Sequence, residues 1–161
     1  MPNYSTITNE KRAVFVKIMT DTTPSFKRLG EGINTFTPSN NGQISTKHYI
    51  NDKFATSRRN GLQKQFAFSG DRVVGDPAND YLMSLSEKTG SDVESEIIIA
   101  DLTGSSPYSA KKYDVMIDVS NDGTIEGGQD VSIDGTFYVN GDPIEGTCTV
   151  SGDTATFTAS T

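Results

Sequence analysis

Apolar and polar side chains alternate with a period of two residues through much of the C-terminal third of the chain. Residues 113–119 read YDVMIDV, and residues 130–139 repeat the alternation. Side chains of a strand point alternately to the two faces of a sheet, so this pattern is typical of strands with one buried face. Turn signals at Asn140-Gly141 and at residues 151–153 separate these strands. The sequence therefore predicts an antiparallel meander with a polar, acidic face.

The N-terminal half predicts further strands between clusters of Gly, Asn and Pro. They cover residues 13–19, 33–37, 44–50 and 62–68, and polar residues 51–60 are predicted to form a long exposed loop. One α-helix is predicted over about residues 77–88. Asp76 is a good N-cap, Pro77 suits the first helical position, and Gly90 can end the helix in a left-handed conformation.

Length and composition indicate one domain with a thin core. The chain has 161 residues, of which 34% are hydrophobic, and domains of this size are common. We expect a single domain over residues 1–161, with residues 1–12 as a possible N-terminal arm. The fold class predicted is mainly β, an antiparallel β-sandwich or partial barrel with one flanking helix and extended loops or arms for oligomerisation.

Hydropathy argues against a membrane protein or a secreted one. The longest apolar runs are four residues, far short of the roughly 20 that a spanning helix needs. The N-terminus has neither a basic region nor an apolar region of the kind found in signal peptides. The single cysteine fits synthesis in a reducing cytosol.

Charge is distributed unevenly along the chain. The net charge is -7, which argues against affinity for phosphate backbones or anionic lipid. Residues 1–90 carry a net charge of +4 and residues 91–161 a net charge of -11. Such polarity is typical of a molecule that meets a partner, or another copy of itself, through faces of opposite sign.

Candidate chemical sites are few. Residues 118–126 copy the first nine positions of a calcium-binding loop, but an Asp/Asn/Gly turn between strands is the favoured interpretation. His48 is the only histidine and is expected at the surface or an interface. Cys148 is expected to be a small buried residue, because no basic residue lies nearby in sequence to activate it. We expect no catalytic residue, metal or cofactor.

An antiparallel sheet with one wet face has unpaired edges, which are a hazard unless they are covered, charged or paired with another copy. Head-to-tail pairing closes into a ring when the rotation permits, and each sheet then forms part of a larger barrel. The candidates to line its channel are Asp114, Asp118, Asp130 and Asp134. The candidates to contact acidic surface of a neighbouring subunit are Lys53, Arg58 and Arg59.

Three segments carry a resemblance to a known family. They are residues 29–39 (LGEGINTFTPS), 68–82 (FSGDRVVGDPANDYL) and 133–147 (IDGTFYVNGDPIEGT). Their order along the chain resembles the tail tube (major tail) proteins of long-tailed bacteriophages, over about residues 13–158. The resemblance implies a β-sandwich flanked by one helix, hexameric rings stacked into a tube, and a lumen through which the genome passes. Loop 51–60 and the N-terminal arm match positions of subunit contact in that family.

The same resemblance implies partners and a location. Besides other copies of the chain, the partners would be tape measure, tail terminator and distal tail proteins. DNA would be only a transient, non-specific cargo, and no membrane contact is expected. The protein would be made in the cytoplasm of the bacterial host and function in the virion tail.

Two other functions stay open on the sequence alone. The first is a carbohydrate-binding or surface-binding β-sandwich, as an accessory virion component. The second is an enzyme, which the sequence favours least because neither a nucleophile elbow nor a phosphate loop is present.

Overall fold

The computed structural model describes residues 5–19 and 23–161. Over these residues the chain is built mainly of strands, with one α-helix and two 3-10 turns, Asn9–Lys11 and Gly90–Val93. In chain order the elements are β1 (Arg12–Ile18), β2 (Ser25–Arg28), β3 (Ile33–Ser39), β4 (Gly42–Lys47), β5 (Thr56–Leu62), β6 (Gln65–Asp71), α1 (Pro77–Ser84), β7 (Glu94–Asp101), β8 (Tyr108–Thr124), β9 (Ser132–Val139), β10 (Ile144–Ser151) and β11 (Thr154–Ala159).

Six strands close into a small antiparallel barrel. Their hydrogen-bonded order is β10-β11-β2-β1-β7-β8, and the first half of β8 pairs back onto β10. The interior is filled by Phe15 and Ile98 among mostly small side chains, which suits the narrow bore of a six-stranded barrel. The buried members of this first core are Ala13, Phe15, Ile98, Ala100, Ala110, Cys148 and Ala155.

A second core lies on the outside of the barrel wall. The second half of β8 leaves the barrel and continues into a sheet of order β8-β9-β6-β3. One face of this sheet and helix α1 cover the outer face of β1 and β7. Phe66 and Phe137 are fully buried there, and Phe36 stacks on Phe66 with 5.2 Å between ring centroids. Strands β1 and β7 are therefore buried on both faces. The predicted fold class is confirmed.

Helix α1 begins where the sequence predicted and ends earlier. The Asp76 carboxylate accepts a hydrogen bond from the Asn79 backbone N–H (2.8 Å), and Pro77 occupies the first turn. The last helical residue is Ser84, not residue 88. Gly90 has the left-handed φ expected of it (+66°), but it begins a 3-10 turn six residues farther on. Leu85, at the C-cap, is the last residue of this segment buried in the second core, and residues 87–90 are exposed.

Two other predictions, a strand over residues 62–68 and a hairpin at Asn140-Gly141, are wrong. Residues 62–68 are not one strand, because Gln63 and Lys64 interrupt it between β5 and β6. Asn140-Gly141 does not form a hairpin, since β9 pairs with β6 and β8 while β10 pairs with β8 and β11. The two strands lie end to end along β8, so Gly141, at φ +80°, turns the chain from the sheet into the barrel.

The predicted N-terminal arm is exposed over residues 5–12, and Arg12 already begins β1. Residues 1–4 lie outside the described part of the chain. Among the described residues, no helix is long and apolar enough to cross a membrane.

Candidate functional site

The outward side of the sheet β8-β9-β6-β3 is a continuous polar surface, called here the polar sheet face. Strand alternation places every second side chain on it, opposite the residues of the second core. Over the central rungs of the ladders its members are Asp114, Met116 (which also packs against the second core), Asp118, Asp134, Thr136, Tyr138, Gln65, Ala67, Ser69, Thr35, Thr37 and Ser39. These twelve residues include three carboxylates and no Lys or Arg.

The carboxylates of this face have no cationic partner among residues 5–19 and 23–161. Asp114 and Asp118 are exposed on β8. Asp134 on β9 accepts a hydrogen bond from the Asn121 side-chain amide (2.9 Å). None of the three takes part in the ion pairs found in the described chain. Their negative charge is therefore left to solvent or to a partner.

Two lysines lie at the border of the polar sheet face, and one carboxylate binds both. Glu96, opposite Asp114 in the β7–β8 ladder, contacts the Lys17 Nζ at 3.0 Å and the Lys112 Nζ at 3.6 Å. All three side chains are about three-quarters shielded from solvent. Both cations therefore pair with Glu96, and neither forms an ion pair with Asp114 within the described residues.

The fourth predicted channel residue lies elsewhere. Asp130 is exposed in the loop before β9, which begins at Ser132 rather than at residue 130. Residues 118–124, which resemble the start of a calcium loop, continue strand β8 with irregular pairing to β9. Within the described residues, no group of three or more metal-ligating side chains comes together.

The predicted interface residues lie on a two-stranded ribbon, residues 42–62, that extends from the sheet. Strand β5 covers residues 56–62, so only residues 51–55 of the predicted loop are irregular. Residues 56–60 pair with β4 because the ribbon prolongs the β3–β6 ladder in the same register, with Ser39 opposite Gln65 and then Gly42 opposite Leu62. We call residues 42–62 the β4–β5 ribbon.

The β4–β5 ribbon carries a positive charge that the described chain does not neutralise. It contains four cations and one acid. Arg58 and Arg59 are exposed on β5, Lys53 is exposed at the tip, and none of them forms an ion pair within the described chain. The structure thus places the three predicted interface residues on one protruding element.

Sequence reasoning missed the apolar surface of the same ribbon. Five large hydrophobic side chains are exposed on it, with Phe54 at 79%. They are Ile44, Tyr49, Ile50, Phe54 and Leu62. Isolated exposed apolar residues are normal, but five on one two-stranded element form a patch that favours a partner. The signal available in the sequence was the presence of large apolar residues, at positions 44, 49, 50, 54 and 62, in an otherwise polar segment.

His48 and Cys148 lie far from any arrangement for catalysis. His48 follows β4, is exposed, and its Nε2 contacts the Asp52 carbonyl oxygen at 2.6 Å. Cys148 is fully buried in the barrel core, as predicted. Burial raises the pKa of the Cys148 thiol and outweighs the opposite effect of a hydrogen bond from the Thr156 backbone.

The fold is shared with a known assembly component. No protein-family model matches the sequence, and no curated protein matches it. A chain of the cryo-EM structure of the anti-feeding prophage (AFP) baseplate, 6-fold symmetrised, is similar to this one. The TM-score is 0.55 at 9% sequence identity, with 89% of this chain and 97% of that chain covered. At this identity the similarity shows a common fold.

Proposed function

We propose that this protein is a structural, non-catalytic virion protein that assembles into stacked hexameric rings and forms a phage tail tube. The polar sheet face lines an acidic channel for DNA, and the β4–β5 ribbon contacts a neighbouring subunit. The observation that carries the proposal is that one chain presents both of these surfaces. One is a broad polar face whose carboxylates lack cations, and the other is a protruding basic and apolar ribbon.

Ring formation is supported by the two free edges of the sheet. Strand β3 pairs only with β6 among the described strands. At the other side, the β7–β8 ladder ends at Glu94 opposite Met116, so β8 beyond Ile117 has no described strand on that side. Unpaired edges at both ends of one sheet suit head-to-tail pairing between copies. A closed ring of such sheets presents one face of every copy to its channel.

Six-fold symmetry is supported by the fold comparison. The similar chain comes from an assembly described as 6-fold symmetrised. It aligns over 97% of its own length, so the likeness includes nearly all of that subunit. The number six also agrees with the sequence resemblance to tail tube proteins.

The electrostatics of the polar sheet face suit transport of DNA without binding it. Duplex DNA carries about one phosphate charge per 1.7 Å of axis, and a cationic channel would hold it through counterion release. Asp114, Asp118 and Asp134 repel phosphate instead, and the rest of the face is uncharged, mostly hydroxyl and amide groups. DNA can then slide past the wall without a preferred stopping point.

Electron microscopy of the purified chain tests assembly. Negative-stain images of concentrated protein are expected to show rings of six subunits and tubes built from them. A protein that stays monomeric at high concentration and binds glycans would contradict the proposal and favour the surface-binding alternative.

Charge reversal on the polar sheet face tests the channel. Asp114→Lys with Asp118→Lys should leave rings intact, because both side chains are exposed and unpaired. Rings of this variant should retain linear duplex DNA in a low-salt gel shift, whereas unmodified rings should not. The matched control is Glu87→Lys with Asp153→Lys, which changes net charge equally at exposed sites off that face. Equal DNA retention by the control would mean that net charge, and not a channel wall, is responsible.

The ribbon has its own test. Arg58→Glu with Arg59→Glu should weaken assembly, and the difference from the unmodified chain should shrink as salt screens the contact. Sedimentation at several salt concentrations measures this. Unchanged assembly at every concentration would remove the ribbon cations from the interface.

A further inference from the structure

Three cations converge at the end of the molecule where the β4–β5 ribbon joins the sheet. Arg12, Lys64 and Lys111 line one cavity of about 390 Å³ beside the Tyr113 ring. Lys64, Lys111 and Tyr113 also line an adjoining cavity of about 610 Å³, together with Leu62 and other residues. We call the site formed by Arg12, Lys64, Lys111 and Tyr113 the basic pocket.

Lys64 is the central cation of the basic pocket and has no carboxylate partner among the described residues. Its Nζ donates a hydrogen bond to the Asn40 side-chain oxygen (2.8 Å) and lies 5.3 Å from the centroid of the Phe66 ring. Partial burial lowers the pKa of Lys64, and the charges of Lys111 and Arg12 lower it further. Lys64 thus lies beside two like charges and forms no ion pair of its own within the described residues.

Three acids lie at the pocket, and none of them forms an ion pair with Lys64: Asp101, opposite Arg12 in the β1–β7 ladder, Asp142, which lines the larger cavity, and Glu145. Asp101 lines the smaller cavity, and its carboxylate accepts hydrogen bonds from the Thr103 backbone N–H (3.0 Å) and hydroxyl (2.7 Å). Glu145 contacts the Lys111 Nζ at 3.3 Å, but this pair is solvent-exposed and contributes little. An additional carboxylate near Lys64 would complete the site.

The opposite end of the molecule carries a loop of complementary character. Residues 125–131, called here the acidic loop, connect β8 to β9 and contain Glu126 and Asp130 but no cation. A turn closed by the Gln129 backbone N–H on the Glu126 carbonyl oxygen (3.1 Å) shapes the loop. Ile125, at its start, is 86% exposed. An apolar side chain next to a carboxylate matches a pocket of aromatic and cationic groups.

These two surfaces cannot meet within one chain. Lys111 and Thr124 lie near the two ends of β8, about 40 Å apart at the usual rise of a strand. A pocket and a complementary loop at opposite ends form a heterologous contact, which repeats without closing when copies are placed end to end. Repeated contacts of this kind would stack copies along one axis, as in a filament.

We propose that the acidic loop of one copy docks in the basic pocket of a second copy in the next ring, with Glu126 as the carboxylate that pairs with the pocket cations. This inference rests on the proposed tube function, since it specifies how rings stack. It assigns Asp130 to ring stacking rather than to the channel wall.

Two charge-reversed variants test the contact. The pocket variant is Arg12→Glu with Lys111→Glu, both exposed; Lys64 is retained because it packs over aromatic rings. The loop variant is Glu126→Lys with Asp130→Lys. Each variant alone should form rings but no tubes, because like charges then face each other. An equimolar mixture should form tubes of alternating rings, because a reversed pocket then meets a reversed loop and a native pocket meets a native loop.

Negative-stain microscopy and sedimentation measure tube length, and Glu87→Lys, an exposed reversal outside both surfaces, should form tubes of normal length. Normal tubes from either variant alone would overturn the inference. So would a mixture of folded variants that still stops at rings. Should a reversal prevent folding, Glu126→Gln with Asp130→Asn replaces it and should shorten tubes several-fold; unchanged length would equally overturn the inference. A native chain that forms no rings would instead overturn the proposed function.

Discussion

Strands β1 and β5 have the same length of seven residues and opposite environments. In β1, Ala13 and Phe15 enter the barrel core while Val14, Val16 and Ile18 enter the second core. In β5, six of the seven residues are exposed, and the partner strand β4 is also largely exposed. One strand is held by apolar burial on both faces, and the other only by its ladder.

From this difference we expect the buried body to determine the stability of one copy and the exposed ribbon to determine contacts between copies. A two-stranded ribbon is marginal in water by itself, so the β4–β5 ribbon depends on the β3–β6 ladder that it prolongs. We expect its exposed apolar and basic side chains to add little to the free energy of unfolding of one copy. We expect changes in the body to alter unfolding with little direct effect on contacts between copies, and changes in the ribbon to do the opposite.

The largest effect is expected from a matched pair of phenylalanines. Phe137→Ala removes a fully buried ring from the second core and should lower the free energy of unfolding by about 3–5 kcal/mol. Phe54→Ala removes a ring that is 79% exposed and should change it by less than about 0.5 kcal/mol. Chemical denaturation of the monomer measures both. Phe54→Ala should nevertheless impair assembly, and a large loss of monomer stability would show that the ribbon packs on the body.

The next largest difference in stability is expected between alanine substitutions of two glycines, one in the body and one in the ribbon. A Cβ at Gly135 would overlap the Asp118 carbonyl oxygen and lie 2.6 Å from the Phe68 ring. Gly135→Ala should therefore destabilise by about 3 kcal/mol, because backbone and packed ring cannot both move. Gly61 in the ribbon has nothing within 4 Å of the same position, so Gly61→Ala should be neutral. Thermal melts compare the two, and equal melting temperatures would contradict the close packing of β8 on β9.

Alanine substitutions of two asparagines should show the same contrast in the free energy of unfolding, with a smaller difference. Asn79 is fully buried; its amide donates to the Asp71 carbonyl oxygen (3.0 Å) and accepts from the Arg72 guanidinium (2.9 Å). Asn79→Ala removes these buried hydrogen bonds, although Arg72 keeps its contacts with Val73 and Asp80, and should cost about 2 kcal/mol. Asn60, which donates to the Ser45 hydroxyl in solvent, is the control and should cost under about 0.5 kcal/mol. A neutral Asn79→Ala would mean that water replaces the side chain.

The sequence was most informative where one face of an element is wet. Strand β8 was predicted from the alternation of Val115 and Ile117 with Asp114 and Asp118, and these residues are buried and exposed as expected. The start of α1 was predicted because an N-cap followed by proline acts locally. Three of the four predicted channel acids therefore share one face.

Features that depend on distant partners were not accessible from the sequence. Strand β5 is polar on both faces, so it has no alternation and reads as a loop. The Asn140-Gly141 turn signal is local and carries no information about which strand lies beside β9. The basic pocket joins Arg12, Lys64 and Lys111 from three strands or their ends, and only the topology brings them together.

Labelling with a thiol reagent can report on the barrel core and on the β4–β5 ribbon in one variant. Cys148 is fully buried, and the raised pKa of its thiol leaves less of the reactive thiolate at pH 7 than an exposed cysteine has. Ser57→Cys adds an exposed thiol on the ribbon. A thiol reagent should modify Cys148 only on unfolding or, more slowly, as pH rises above the usual thiol range. The ribbon thiol should react at once in the monomer and become protected when copies assemble. Fast labelling of Cys148 in the native monomer would show that the barrel opens, and a ribbon thiol that stays reactive in tubes would show that this part of the ribbon is not an interface.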